Sequence, residues 1–79
     1  MTPTIKADIL RLTAIRFFPY WDTTVDTKGL WARMEKGTYV AYVSLPADTE
    51  DDKFEEEAWT AFKRVRDQYE LDMTGDSDG

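Results

Sequence analysis

The stretch GLWARMEKGTYVAYVSL, residues 29–45, has the pattern of two β-strands joined by a tight turn. β-Favouring residues lie on both sides of Lys36-Gly37, and a glycine suits a turn position that needs a positive φ angle. A two-residue turn at Lys36-Gly37 sorts the strand residues onto two faces, because side chains alternate along a strand. The sequence therefore predicts a β-hairpin with one apolar face and one mixed face.

The apolar face in this register consists of three cross-strand pairs: Met34–Tyr39, Ala32–Ala41 and Leu30–Val43. The mixed face consists of three others: Glu35–Thr38, Arg33–Val40 and Trp31–Tyr42. Exposed apolar patches usually mark interfaces, and arginine among aromatic side chains can also stack unpaired nucleic-acid bases. We therefore expect Trp31, Arg33 and Tyr42 to form a binding surface, unless the loop over 19–28 or a second copy of the chain covers them.

Residues 8–18, DILRLTAIRFF, are compatible with either a helix or a strand. In a helix, the apolar residues would surround the whole axis and no apolar stripe would form. In a strand, Leu10, Leu12 and Ala14 share one face. We therefore predict a first strand over 8–18 that ends at Pro19, because proline lacks a ladder donor, and a connecting loop over 19–28.

Residues 50–72 have the spacing of an amphipathic helix. One helical face gathers six residues: Phe54, Ala58, Ala61, Phe62, Val65 and Tyr69. Thr49 can cap this helix, with Asp52 in place of the capping-box glutamate. The end of the chain, TGDSDG over 74–79, has no apolar residue and is expected to be a disordered acidic tail.

Together these elements predict an α+β fold in a single small globular domain over residues 1–73. A chain of 79 residues cannot bury enough apolar surface to stabilise a second core. The predicted architecture is a three-stranded antiparallel sheet with one C-terminal amphipathic helix packed on one face. The elements follow one another in the order strand, strand, strand, helix.

The composition disfavours enzymes and metalloproteins. The chain has no cysteine and no histidine, which removes thiolates, the usual general base near neutral pH and the commonest nitrogen ligand of zinc. We expect no catalytic residue, no metal and no cofactor. Neither a basic, apolar leader nor a run of about 18 apolar residues occurs, so we expect a cytoplasmic protein without membrane contact.

The net charge of −6 is concentrated in residues 49–73, which hold nine acidic and four basic residues. The acids at 50–52 fall in the first turn of the predicted helix, where the helix macrodipole favours negative charge. Glu55, Glu56 and Glu57 lie beyond that turn, so the helix end does not account for them. They form either a solvated helix surface or a docking surface for a basic partner, on which carboxylates imitate nucleic-acid phosphates.

Trp59 lies at the margin of the predicted apolar stripe of this helix. It can close the edge of the core, with a cation–π contact to Lys63 four residues later. It can equally be the anchor of an interface, because tryptophan is enriched among the residues that dominate binding energy. Both interpretations place Trp59 next to the acidic stretch.

The sequence thus suggests a small, acidic, non-enzymatic binding protein that modulates or inhibits a larger macromolecule. It would act through the acidic helix, the aromatic sheet face or both, and its partner would be a protein with a basic surface. A phage- or plasmid-encoded inhibitor of a nucleic-acid enzyme has this character. The alternatives are a structural homo-oligomer such as a homodimer, and a single-strand nucleic-acid binder that uses the sheet face, although the net charge of −6 disfavours nucleic acid.

Overall fold

The computed structural model describes residues 2–46 and 48–74. These residues form two helices and three strands: α1 (Pro3–Phe17), β1 (Asp22–Asp26), β2 (Trp31–Lys36), β3 (Tyr39–Ser44) and α2 (Asp51–Thr74). The three strands form one antiparallel sheet in the order β1-β2-β3. The predicted α+β fold, with a three-stranded antiparallel sheet and a C-terminal helix, is confirmed, and α1 is an additional helix.

Helix α1 occupies the region that was predicted to be the first strand, so the strand prediction for 8–18 is wrong. The helix begins where the Thr2 hydroxyl accepts a hydrogen bond of 3.2 Å from the Ile5 N–H, and a proline follows the cap directly. Its buried residues are Ala7, Leu10 and Ala14, which follow one another at helical spacing. Two of these three residues are alanines, so the buried face of α1 carries little apolar side-chain surface.

Strand β1 occupies part of the region predicted to be a loop, so the loop prediction for 19–28 is also wrong. The strand, DTTVD, pairs with β2 from Asp22 opposite Glu35 to Asp26 opposite Trp31. Its central residues are β-branched, which favours an extended backbone. After it, the Asp26 carboxylate accepts a hydrogen bond from the Gly29 N–H and closes the turn into β2.

The hairpin of β2 and β3 turns at Gly37-Thr38, one residue later than predicted. Gly37 has a φ angle of 62°, the left-handed value that a hairpin turn of type II′ requires at its first central position. Each β2 residue therefore pairs two positions later on β3 than predicted, with Arg33 opposite Tyr42 instead of Val40. A shift of two residues keeps every side chain on its predicted face.

The core lies between one face of the sheet and the two helices. It is formed by ten buried residues: Leu10, Ala14, Phe18, Ala32, Met34, Ala41, Val43, Phe54, Ala58 and Phe62. Helix α1 packs against β1 and β2, α2 packs against β3, and the two helices pack against each other. The predicted apolar stripe of α2 is confirmed, since three of its members are fully buried and Ala61 and Val65 pack at the core edge.

The ends of α2 differ from their predictions in detail. The Thr49 hydroxyl donates to the Pro46 carbonyl at 2.8 Å, and the helix begins at Asp51, so Thr49 lies before the capping position. At the other end Thr74, the first residue of the predicted tail, is helical. Residues 75–79 lie outside the described residues.

Three half-buried aromatic residues close the end of the core where β1 and β3 begin. The rings of Trp21, Tyr39 and Tyr69 meet edge to face, with centroids 4.6 to 5.9 Å apart. The Tyr39 hydroxyl also donates to the Asp72 carboxylate at 2.8 Å. This hydrogen bond raises the pKa of Tyr39 above its ordinary value, with a smaller contribution from desolvation. The end of α2 is thereby joined to the start of β3.

Candidate functional site

An open groove of about 600 Å³ runs between the two helices. Seven residues line it: Ile9, Leu12, Thr13, Arg16, Glu55, Glu56 and Trp59. The first four belong to α1 and the other three to α2. The groove is the place where the structure brings three of the predicted partner-binding residues, Glu55, Glu56 and Trp59, together with side chains from elsewhere in the chain.

The wall contributed by α1 is mainly apolar. Leu12 is 67% exposed, although it is a large aliphatic residue, and Ile9 is half-buried beside it. The Thr13 hydroxyl donates to the Ile9 carbonyl at 2.7 Å, so its hydrogen-bond donor is used within the helix. The wall therefore offers aliphatic surface and few free polar groups to a ligand.

Trp59 forms the opposite wall and is held there by two residues of α1. Its ring meets the Phe17 ring edge to face at a centroid distance of 4.8 Å, and the Arg16 guanidinium lies 4.7 Å from its centroid. The predicted cation–π partner, Lys63, instead pairs with Asp67 at 3.0 Å. Trp59 is still 43% exposed, so a fixed aromatic surface faces the groove.

Glu55 and Glu56 form the acidic rim of the groove. Neither carboxylate makes an ion pair with any residue within 2–46 and 48–74. Other acids of α2 are paired, as Asp67 is with Lys63 and Glu70 is with Arg66. The rim therefore carries negative charge that none of these described residues neutralises by a direct contact.

Glu57, the third member of the predicted acidic surface, does not line the groove. At about 100° per residue it lies about 200° around the helix from Glu55. The three glutamates are adjacent in sequence but do not form one surface. Glu57 therefore provides a matched comparison for the two rim residues, with the same side chain on the same helix.

The other predicted binding residues lie together on the sheet face that points away from the helices. The rings of Trp31 and Tyr42 are 6.2 Å apart, and Tyr42 is 60% exposed. Arg33 lies directly opposite Tyr42 in the register and pairs with the Glu35 carboxylate at 2.9 Å. The positive charge on this face is thus neutralised within the face, and the face is separate from the groove.

Two further features were sought in the described residues, a metal-binding cluster and a membrane-spanning helix. Across residues 2–46 and 48–74, no three potential ligand side chains gather where they could hold a metal ion. None of the helices found there is long and apolar enough to cross a membrane.

The α1 half of the groove was missed by sequence analysis, because residues 8–18 were assigned to a strand. Two signals point to the helix. Thr2-Pro3 is a cap followed by a proline, a common helix start. Ala7, Leu10 and Ala14 then recur at helical spacing.

No protein-family model matches this chain, and neither does any curated protein or solved structure. The groove combines apolar side chains that can be buried with carboxylates that can be paired. Such a combination is typical of a binding site for an amphipathic ligand.

Proposed function

We propose that the protein is a small, acidic, non-enzymatic binding protein that modulates or inhibits a larger macromolecule by binding a basic segment of it in the groove between α1 and α2. The observation that carries the proposal is the unpaired pair Glu55 and Glu56 beside the apolar surface of Leu12 and Trp59. A ligand that satisfies both features brings an apolar side chain into the groove and cationic side chains to its rim. A basic amphipathic helix of a partner protein has this form.

The apolar contact supplies most of the affinity in this proposal. Burying one leucine-sized side chain stabilises a complex by about 1.5 to 3 kcal/mol, whereas an exposed ion pair contributes at most about 1 kcal/mol. The two rim carboxylates act mainly on selectivity and on the rate of association, because they attract cationic partners and repel anionic ones. Trp59 is the expected anchor, since its ring is fixed before binding.

The net charge supports a partner with a basic surface. Nucleic acid itself is disfavoured as the ligand, because its phosphates would meet unpaired carboxylates and a chain of net charge −6. Enzymes that act on nucleic acids offer basic channels of the required chemistry, in which such carboxylates take the place of phosphates. An inhibitor of such an enzyme, encoded by a phage or plasmid and acting in the cytoplasm, is the form of the function that we favour.

Single-strand nucleic-acid binding by the outer sheet face has weaker support. That function needs a free cation beside the stacking rings. Arg33 is instead paired with Glu35 at 2.9 Å, and its Nε is buried without a hydrogen-bond partner in the described chain. The Arg33 guanidinium is thus already engaged by a carboxylate and is less available to a phosphate.

The proposal can be tested by photo-crosslinking in cells of the source organism. A photoreactive amino acid replaces Leu12 in the groove or, as a control, Leu71, which is 61% exposed and does not line the groove. We expect a partner to be captured from position 12 and not from position 71, through a segment rich in lysine or arginine. Mass spectrometry of the cross-linked peptide identifies that segment.

A matched pair of charge reversals then tests the role of the rim. Glu55→Lys changes a groove carboxylate, and Glu57→Lys makes the same change outside the groove. We expect Glu55→Lys to reduce the yield of the cross-link at position 12 and Glu57→Lys to leave that yield unchanged. Equal effects of the two reversals, or equal capture from positions 12 and 71, would exclude the groove as the binding site.

A further inference from the structure

The two outer edges of the sheet differ in chemistry. Strands β1 and β3 each pair with β2 alone among the described residues, so each has one open edge. β1 begins with Asp22 and ends with Asp26, and charged residues on an edge strand oppose the addition of another strand. β3, YVAYVS, has no charged residue, no proline and an unbroken register with β2. The β3 edge therefore lacks the usual protection against strand pairing.

The backbone groups that point outward from β3 follow from its turn. Lys36 and Tyr39 flank a two-residue turn, so this pair exchanges both of its backbone hydrogen bonds, and every second pair along the hairpin does the same. Tyr39, Ala41 and Val43 thus bond to β2. The N–H and C=O groups of Val40, Tyr42 and Ser44 point away from β2, and no other backbone or side-chain hydrogen bond of the described residues uses them.

We infer that β3 is a dimerisation edge, on which β3 of a second copy of this chain pairs antiparallel to form a six-stranded sheet. A two-fold dimer pairs the same patch from both copies. Antiparallel pairing must set outward-facing groups opposite outward-facing groups. In one register all of the outward-facing N–H and C=O groups form hydrogen bonds between the two copies. This register places Tyr42 opposite Tyr42 of the second copy and Val40 opposite Ser44 of the second copy.

Charge favours a second copy over a basic strand from another protein. Two chains of net charge −6 repel each other over most of their surfaces. Residues 37–47 form the longest stretch of the chain without a charged residue, and the proposed pairing uses the strand inside it. Self-pairing there sets no like charges opposite one another, whereas a basic strand would find no carboxylate on β3 with which to pair.

The outer face of the sheet also suits this arrangement. Val40 and Tyr42 are 38% and 60% exposed, and both stand on the face that carries Trp31. In the dimer the two Tyr42 rings become cross-strand neighbours, so the contact of Trp31 with Tyr42 continues from one copy into the other. Aromatic pairs in such positions stabilise sheets. The groove between the helices stays free, so dimerisation does not depend on the function proposed above.

The first experiment measures the mass of the wild-type protein by light scattering across a range of concentrations. We expect a reversible rise from the 9.2 kDa of one chain toward twice that mass. Val40→Lys puts a charge on each outward-facing strand and should weaken dimerisation at least about tenfold. Thr24→Lys, which makes the same addition on β1 at the other edge, should leave the dissociation constant unchanged.

A second experiment measures distances between the two copies in the dimer and does not rely on a variant that weakens dimerisation. The chain has no cysteine, so Ser44→Cys or Thr24→Cys introduces a single site for a nitroxide spin label. In the proposed sheet the two copies of residue 44 are about 14 Å apart and the two copies of residue 24 about 24 Å apart, from strand spacings of about 4.8 Å and rises of about 3.4 Å per residue. Electron paramagnetic resonance distances should keep this order.

Three results would overturn the inference. The first is a single-chain mass at every concentration, which would leave β3 unpaired or free for a different protein. The second is a dimer in which the labels at residue 44 lie farther apart than those at residue 24. The third is an equal effect of Val40→Lys and Thr24→Lys on the dissociation constant, with both variants retaining the wild-type circular dichroism spectrum.

Discussion

The groove between the helices and the β3 edge differ in the chemical groups that they offer to a partner. The groove presents two carboxylates, Glu55 and Glu56, above an apolar wall, and neither has a counter-ion among residues 2–46 and 48–74. The β3 edge presents backbone hydrogen-bonding groups on a strand without charge. Unpaired charge selects a partner of opposite sign, while unpaired backbone accepts any strand that is not repelled. In the two proposals above, one small domain thus binds another protein through one surface and a second copy of itself through a different surface.

Both surfaces depend on the packing of α2, so the largest effect is expected when its central anchor is removed. Phe62 is completely buried, so Phe62→Ala should lower the free energy of unfolding by about 3 to 5 kcal/mol. For a domain of this size that is a large part of the total, and both surfaces should be lost with it. Urea unfolding followed by tryptophan fluorescence measures the change.

Leu71→Ala is the control for this prediction. Leu71 lies on the same helix, but it is 61% exposed, so its truncation should change the free energy of unfolding by no more than about 0.5 kcal/mol. A loss below about 1 kcal/mol for Phe62→Ala would contradict the core described above, because it is well below the cost of emptying a packed aromatic site.

The next prediction separates the two surfaces. The double variant Glu55→Lys with Glu56→Lys should weaken binding of the cross-linked partner at least about tenfold and leave the dimer dissociation constant unchanged, since distant sites act independently. Val40→Lys should have the reverse pattern. Isothermal titration with the captured segment and light scattering provide the two readouts. Loss of both activities in either variant would show that the surfaces are coupled.

A smaller effect is expected at the contact that holds Trp59 in the groove. Arg16→Gln removes the cation 4.7 Å from the ring and should cost about 0.5 to 1 kcal/mol of folding stability. Arg11→Gln is the matched control, because the Arg11 guanidinium pairs with the Asp8 carboxylate at 3.4 Å on the exposed side of α1. Thermal unfolding of the two variants side by side tests this, and equal midpoints would exclude a stabilising cation–π contact.

The smallest effect concerns the link between α2 and β3. The hydrogen bond to Asp72 raises the pKa of Tyr39 above its ordinary value of 10.0. The contribution of this hydrogen bond to the free energy of unfolding is therefore complete below the pKa of an unfolded tyrosine. It is lost as the pH rises through the higher pKa that Tyr39 has in the folded protein. Asp72→Asn should lower the Tyr39 pKa toward the ordinary value.

Tyrosinate absorbance measures this titration. The difference between the wild type and Tyr39→Phe isolates Tyr39 from the other tyrosines, and the same difference is taken in the Asp72→Asn background. An unchanged midpoint in that background would mean that the hydrogen bond of 2.8 Å does not persist in solution.

Sequence analysis predicted the elements correctly where apolar residues recur at the spacing of a single kind of secondary structure. Phe54, Ala58 and Phe62 define the buried face of α2 without ambiguity. The faces of the hairpin were also predicted correctly, because a turn displaced by one residue moves the pairing by two and preserves the alternation. These features depend on local order and need no knowledge of the remaining chain.

The two elements that sequence analysis missed, α1 and β1, are determined by tertiary contacts that cannot be predicted from their own residues. The stripe of α1 uses Ala7 and Ala14, while the larger Leu12 and Ile15 are exposed, so hydrophobicity alone gives the wrong period. Strand β1 is short and polar and is specified by pairing with β2. For the same reason only the α2 half of the groove, including Trp59, could be proposed from the sequence.

The alternation along β3 also fixes how fast its amide protons exchange with deuterium. Amides that bond to β2 must wait for the hairpin to open, whereas the outward amides of Val40, Tyr42 and Ser44 meet solvent directly in a single chain. Exchange in β3 should therefore alternate between slow and fast at every residue when the protein is dilute. If two copies pair along this edge, exchange of the fast amides alone should slow as the protein concentration rises. Deuterium exchange would then detect dimerisation without any substitution.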